Sequence, residues 1–277
     1  MPDSFGLFSY LIFGGIRMSE KKNISFNFGE NWQNFSSGSL DDAKFAEAVK
    51  SLSTLIGKDS LINKTFLDIG CGSGIFSIAA SHLGVRKVVG IDISKESIDT
   101  SKANKNKFAS QNNIEFIHKS IFDEDVAGLG KFDIVYSWGV LHHTGKMWEA
   151  IDNASKLVDD KSILTIAIYN KHWSSGAWGQ IKRIYNWMPM FGKKIMIWLF
   201  YLVIALAKFI KSGKNPFKKR RGMNFYYDVV DWIGGYPYEY ATKDEIIKYL
   251  EARGFRCIKS TQPPMPTGCN EFVFVKL

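Results

Sequence analysis

Between residues 65 and 169, short runs rich in β-branched and aromatic side chains alternate with stretches of helical periodicity, the pattern of βαβ units built around a parallel sheet. The runs fall at 65–69, 87–91, 114–118, 132–137 and 163–169. Helical stretches lie near 75–83, 94–109 and 147–157, and another, 41–56, precedes the first strand. Strands apolar on both faces need helices on both sides, so the pattern commits the chain to a doubly wound α/β layer. The alternation stops after Asn170 for about seventy residues and resumes with a helix near 243–252, opened by Thr242 and closed by Gly254. Two more strands, 256–261 and 271–276, flank a turn containing Pro263, Pro264 and Pro266. The expected architecture is a seven-stranded, mostly parallel sheet with an α-helical cap inserted after the fifth strand. Its expected divisions are an amino-terminal extension and lid (1–40), a cofactor-binding core (41–170), a basic aromatic cap (171–240), and a final helix with two core strands (241–277).

The chain is long enough for such a core, at 277 residues of which 45% are hydrophobic. Cys71, Cys257 and Cys269 are odd in number and far apart, which suggests neither a disulfide framework nor a zinc site and fits a reducing, cytoplasmic compartment. No histidine or acid shows metal-ligand spacing, so no metal is expected. The apolar stretch 5–16 is too short to span a bilayer and follows Asp3 instead of a basic flank, so it does not read as a signal peptide. Met18 opens a polar stretch resembling an ordinary start, and 1–17 reads as an upstream extension. The net charge of +9 is unevenly placed: residues 161–227 hold thirteen Lys or Arg and no acid, while the remainder carries 23 basic against 27 acidic side chains. Such a segment is either a solvated face or a contact for an anionic surface or substrate.

The chemistry concentrates at Phe66-Leu67-Asp68-Ile69-Gly70-Cys71-Gly72-Ser73-Gly74, a buried strand entering a glycine-rich turn and then a helix. Glycines there permit a sharp turn and close backbone approach to a ligand. A dinucleotide fingerprint requires a third glycine where Ile75 stands, and Asp68 would repel a pyrophosphate. The same carboxylate attracts a cofactor carrying an α-amino group and a sulfonium, which is S-adenosylmethionine (SAM). One strand later Asp92 ends Val88-Val89-Gly90-Ile91-Asp92, placed to accept hydrogen bonds from two ribose hydroxyls.

These stretches, DIGCGSG, GIDIS and FDIVYSWGVLHH, resemble successive motifs of class I SAM-dependent methyltransferases of Rossmann-like fold, over roughly residues 64–170. The resemblance implies that Asp68 with the loop Gly70, Cys71, Gly72, Ser73 and Gly74 holds the methionine moiety. By the same resemblance Asp92, with Ile93, holds the ribose, and Ser120, Ile121 and Phe122 hold the adenine. Trp138 and Gly139 line the site from the fourth strand. More narrowly, 137–148, 220–239 and 268–272 resemble bacterial small-molecule enzymes annotated like the ubiquinone-biosynthesis O-methyltransferases, departing from the shortest of them by the long insertion.

Methyl transfer is an in-line displacement, so alignment and exclusion of water carry much of the catalysis. For a hydroxyl acceptor a base is also needed. His142 and His143 follow the fourth strand at the expected mouth of the site and titrate, unperturbed, near neutrality. Trp32, Tyr169, Asn170, Asp231, Tyr236 and Glu239 are candidates for an acceptor pocket, with Asp231 and Glu239 also candidate bases. The expected acceptor is a small molecule or lipid-linked compound bearing a hydroxyl. Two other readings are a SAM-binding partner protein without catalysis and a nucleic-acid methyltransferase. The second is disfavoured because the fourth strand ends in Ser137-Trp138-Gly139-Val140 and lacks the N/D-P-P-Y/F motif. Finally, 195–210 reads as a sixteen-residue helix, apolar around nearly its whole circumference and bracketed by basic residues within 193–221. At ~24 Å it falls short of the ~30 Å bilayer core, so burial in the cap, in a homodimer contact or at a membrane interface is expected instead of a span.

Overall fold

The computed structural model of the chain describes residues 26, 28, 41–109, 112–213, 225–263 and 265–277. Helix α1 (Asp42–Ile56) leads into β1 (Thr65–Ile69), α2 (Ile75–His82), β2 (Lys87–Asp92), α3 (Lys95–Phe108), β3 (Ile114–His118), β4 (Phe132–Trp138), α4 (Met147–Lys156) and β5 (Val158–Tyr169). The cap follows as α5 (Ser175–Trp187), α6 (Met190–Ser212) and α7 (Phe225–Gly234). The chain closes with α8 (Lys243–Glu251), β6 (Phe255–Thr261) and β7 (Cys269–Lys276).

The seven strands form one sheet in the order β3-β2-β1-β4-β5-β7-β6. The first five pair in parallel, and β7 inserts antiparallel between β5 and β6. Its direction follows from the short proline-containing turn to β6, which can return the chain only as a hairpin. The order reverses at β1, so the crevice beyond the carboxyl ends of β1, β2 and β4 is where an open α/β sheet takes a ligand.

Alternation along each strand fills both faces. Phe66, Val88, Ile134 and Tyr136 pack with Ala48 and Leu52 of α1, Ile78 and Ala79 of α2 and Ile98 of α3. Leu67, Val89, Ile91, Val135 and Leu164 pack on the other face with Ile151 of α4 and Ile246 and Leu250 of α8. Local signals set the helix starts. The Asp41 carboxylate accepts from Lys44 N at 2.9 Å, Ser94 caps α3, and Thr242 with Glu245 forms a reciprocal capping box on α8.

Two elements differ from expectation. Strand β5 opens at Val158, five residues earlier, because Val158 pairs with Phe132 across an irregularity and draws the polar Asp159-Asp160-Lys161 into the strand. Helix α6 runs for 23 residues, or ~34 Å at 1.5 Å per residue. It therefore exceeds the bilayer core, and the sequence argument against spanning by length fails. Among the described residues it is the one helix long and apolar enough to cross a membrane by length and composition, and only 17% of its 18-residue window Met190–Ala207 is buried. Its inner face packs in the cap, Ile204 and Ala205 with Phe225 and Val229, Ile197 with Tyr185 and Ile233. The cap is stitched to the sheet where it leaves and returns, by a parallel bridge between Asn170 and Ala241.

Candidate active site

Asp68, at the carboxyl end of β1, is buried, and its Oδ2 accepts from Ser77 Oγ at 2.6 Å. Burial pushes its carboxyl up to about 7, with nearby Asp92 adding to the rise and Ser77 opposing it. Among the described residues no cation pairs with it; a buried carboxylate so placed is costly, and a ligand ammonium would relieve that cost.

The loop after β1 turns back on the sheet. Gly70 N and Cys71 N both donate to the Ile91 carbonyl, at 2.8 and 3.0 Å, and Asn104 Nδ2 holds the Ser73 carbonyl at 2.8 Å. Gly70 and Gly74 have φ of +72° and +74°. A Cβ on Gly70 would lie 2.5 Å from both γ carbons of Val140, and one on Gly74 would lie 2.7 Å from Ser101 Cβ and 2.8 Å from the Phe116 ring. Both conformation and space exclude any side chain, and the backbone is left free to line a ligand. Cys71 beside them is no reactive thiolate, since burial and then the Asp68 and Asp92 charges push its pKa well up.

Asp92 ends β2 one strand away. Its Oδ2 accepts from Gly72 N and its Oδ1 from Ser94 N, both at 2.9 Å, so it braces the glycine loop while each oxygen keeps lone-pair capacity. Burial raises its pKa, against these amide bonds. Ile93 next to it is exposed. Beyond β3, Ser120 forms a turn in which its N donates to Asp123 Oδ2 at 2.8 Å and its Oγ accepts from Phe122 N at 3.1 Å, with Ile121 buried behind. Asp68, the loop, Asp92 and the Ser120 turn thus share the carboxyl edge of three adjacent strands. Trp138, at the end of β4, turns its indole to β7, where Nε1 donates to Glu271 Oε1 at 2.9 Å.

His142 and His143 lie in a short helical turn, Leu141–His143, after β4. His143 Nδ1 is 2.6 Å from the Pro237 carbonyl. A carbonyl only accepts, so Nδ1 carries the hydrogen and Nε2 the lone pair. The expected near-neutral titration is not met: burial, and secondarily the Lys182 charge, hold His143 at about 3, so the ring is neutral at working pH. His142 is fully buried, its pKa driven well down by burial and then by His143 and Lys182. Neither of its ring nitrogens meets a hydrogen-bond partner among the described residues, although the Ala167 carbonyl lies near. Its ring packs 4.1 Å from that of Tyr169.

The other candidates divide. Tyr169 lies over the histidines and beside Tyr238, 5.0 Å between rings. Asp231 sits close enough for its charge to raise the pKa of Lys182. Asn170 is engaged structurally, donating to the Pro266 carbonyl and accepting from Asn270 Nδ2. Glu239 is likewise engaged: both oxygens accept from Met147 N, at 3.1 and 3.0 Å, where Lys146 offers α4 no side-chain cap. Tyr236 offers its carbonyl to Phe26 N at 2.9 Å. Trp32 lies outside the described residues, as does the extension 1–25.

Three neighbours of these candidates escaped sequence reading. Ser77 is inconspicuous in α2, and Tyr238 belongs to a loop. Lys182 left a signal, since Trp178, Lys182 and Tyr185 stand at helical spacing on the inward face of α5. Its buried ammonium donates to the Trp232 carbonyl and lies 5.4 and 4.9 Å from the Tyr169 and Tyr238 ring centres. Burial lowers its pKa to about 8.

The geometry is that of a Rossmann-like sheet with a candidate cofactor site at its switch point, and comparison with known proteins gives the family. A model described as a methyltransferase domain matches residues 62–220. The ubiquinone biosynthesis O-methyltransferase of Pelagibacter ubique is 31% identical over 168 residues, 60% of this chain and 67% of that protein. Its namesake from Bartonella tribocorum is 31% identical over 132 residues, 46% of this chain and 51% of that protein. The matches thus span about half to two thirds of these relatives. Magnesium protoporphyrin IX methyltransferase from Synechocystis PCC 6803, crystallised with bound SAH, shares the fold with a TM-score of 0.57 at 17% identity, covering 90% of this chain and 94% of that one. The chain belongs to the SAM-dependent methyltransferase family, and its cofactor is SAM.

The residues present fit that cofactor. Asp68 would supply a buried anion for its ammonium, the glycine loop a surface no Cβ obstructs, and Asp92 acceptors for its ribose. When bound, SAM supplies an activated methyl group.

Proposed function

We propose that the protein transfers the methyl group of SAM to a hydroxyl oxygen of a small-molecule or lipid-linked acceptor, such as a quinol or sugar, acting in the cytoplasm at the inner face of a membrane. The observation that carries the choice of oxygen is His143, neutral and held by Pro237 in the tautomer whose Nε2 can take a proton. The new O–CH₃ bond forms as the S–CH₃ bond breaks, and the hydroxyl proton, made strongly acidic as its oxygen is methylated, passes late in the step to Nε2, which remains a weak base at about 3. Tyr169, Tyr238 and Lys182 give this side of the site a polar, water-poor wall, which strengthens electrostatic contacts to an acceptor oxygen. The ubiquinone-biosynthesis relatives support an oxygen acceptor. The test is to incubate the protein with methyl-labelled SAM and an extract of its host, then treat the labelled product with alkali and acid. Label stable as an ether supports the reading. Label on protein, on nucleic acid or nowhere refutes it.

A further inference from the structure

The outer face of α6 is unlike the surface of a soluble enzyme. Phe191, Ile195, Trp198, Leu202, Leu206 and Phe209 recur at spacings of three or four and fall within about 80° of arc. All are more than half exposed: Phe191 77%, Trp198 63%, Leu202 65% and Phe209 53%. At roughly 150–250 Å² per aromatic side chain, the three aromatics alone expose about 300 Å² or more. With the aliphatics the patch exceeds the ~300–600 Å² of the largest patch on an ordinary monomer. Trp187, at the end of α5 and three residues before α6 begins, is exposed as well.

We infer that this face docks on an anionic lipid leaflet, with the axis of α6 lying in the membrane plane. Three observations select that occupant. First, the segment that carries the patch is charged with one sign: no acid occurs in 161–227, and Arg183 and Lys194 within it are exposed. Two copies meeting through it would bring like charges together, whereas an anionic leaflet complements them. Each basic residue near such a surface multiplies partitioning by about fivefold. Second, the opposite face of α6 is committed to the cap through Ile197 and Ile204, so the helix can meet lipid on one side only, and spanning would strip those contacts. Third, tryptophans stand on the apolar side, as is usual at the boundary between headgroups and acyl chains. The inference deepens the proposed function by naming its lipid partner, and its test reads binding independently of methyl transfer.

The test uses the full chain with vesicles of equal parts phosphatidylcholine and phosphatidylglycerol, and with vesicles of phosphatidylcholine alone. Co-sedimentation is expected with the first, weakened at least tenfold by molar salt or by omission of the anionic lipid. Leu202→Glu should abolish it and Leu202→Ser weaken it, while SAM affinity by calorimetry stays at the wild-type value, showing that the fold and cofactor site are intact. Brominated acyl chains should quench Trp198 fluorescence, measured as the difference between wild type and Trp198→Phe. Three results would each overturn the inference. One is no binding to anionic vesicles. Another is binding that Leu202→Glu leaves unchanged. The last is a dimer in solution that this substitution dissociates, which would assign the face to a second copy. Failure of SAM to bind the wild type would instead refute the cofactor assignment.

Discussion

With Asp68 as the partner of the cofactor's ammonium, SAM affinity should depend on pH in a way its position dictates. The carboxyl is held at about 7 against an ordinary 3.8, so ionising it in the unliganded protein costs ~4 kcal/mol more than in water. The cofactor's ammonium requires the ionised form, so binding below pH 7 must expel a proton. Affinity should then fall about tenfold per pH unit below 7, with nearly one proton released per cofactor at pH 6. Above about 8 the cofactor's own α-amino group loses its proton, so the full profile is a bell. Calorimetry in buffers of different ionisation enthalpy measures affinity and proton release together. Asp68→Asn should abolish the acid limb and the proton release, keep the alkaline limb, and bind ten- to a hundredfold more weakly, the loss of a charge-assisted bond of about 1.5–3 kcal/mol. Wild-type affinity flat between pH 5.5 and 7.5, or an acid limb surviving in Asp68→Asn, would refute the reasoning.

The same carboxyl binds its proton more tightly folded than unfolded, so its contribution to the stability of the unliganded protein declines as pH rises from 3.8 towards 7; Asp68→Asn should therefore raise the melting temperature at pH 7 without cofactor, and a lower one would contradict this. His143→Ala should slow single-turnover transfer about 10²–10⁴-fold with SAM affinity unchanged. Because His143 is neutral above about pH 4, no limb near 6.5 in the wild-type rate profile should disappear with it. Gly70→Ala should weaken SAM binding, and adding Val140→Ala should restore it only in part, because the overlap is relieved but the φ of +72° remains; full recovery would show that conformation does not matter there. Glu239→Ala should lower stability by about 1 kcal/mol, the loss of a helix cap, in chemical denaturation at pH 7. An effect on rate alone would return Glu239 to the acceptor pocket.

The cofactor half was legible because its signals are local. The burial of 65–69 and 87–91, the glycines of 70–74 and the acids at 68 and 92 each state a backbone or charge requirement within a few residues. The strand set, and with it the sheet and the SAM assignment, could be read from them. The acceptor side was not legible, because its groups meet only when β4, β5, α5 and the loop before α8 converge. Sequence offered His142, Glu239 and Asn170 as chemical groups. The fold buries the first and ties the other two to α4 and to the turn before β7. It also brings in Lys182, which nothing near the histidines in sequence announced. The proton affinity of a histidine is likewise no property of its neighbours in the chain: burial, with the Lys182 charge behind it, carries His143 from near neutrality to about 3. For α6 the hydropathy of the run determined that much of it must meet something apolar. Only the tertiary structure decided which side already had a partner in the cap and which side was left exposed, because burial depends on contacts that the linear pattern does not contain.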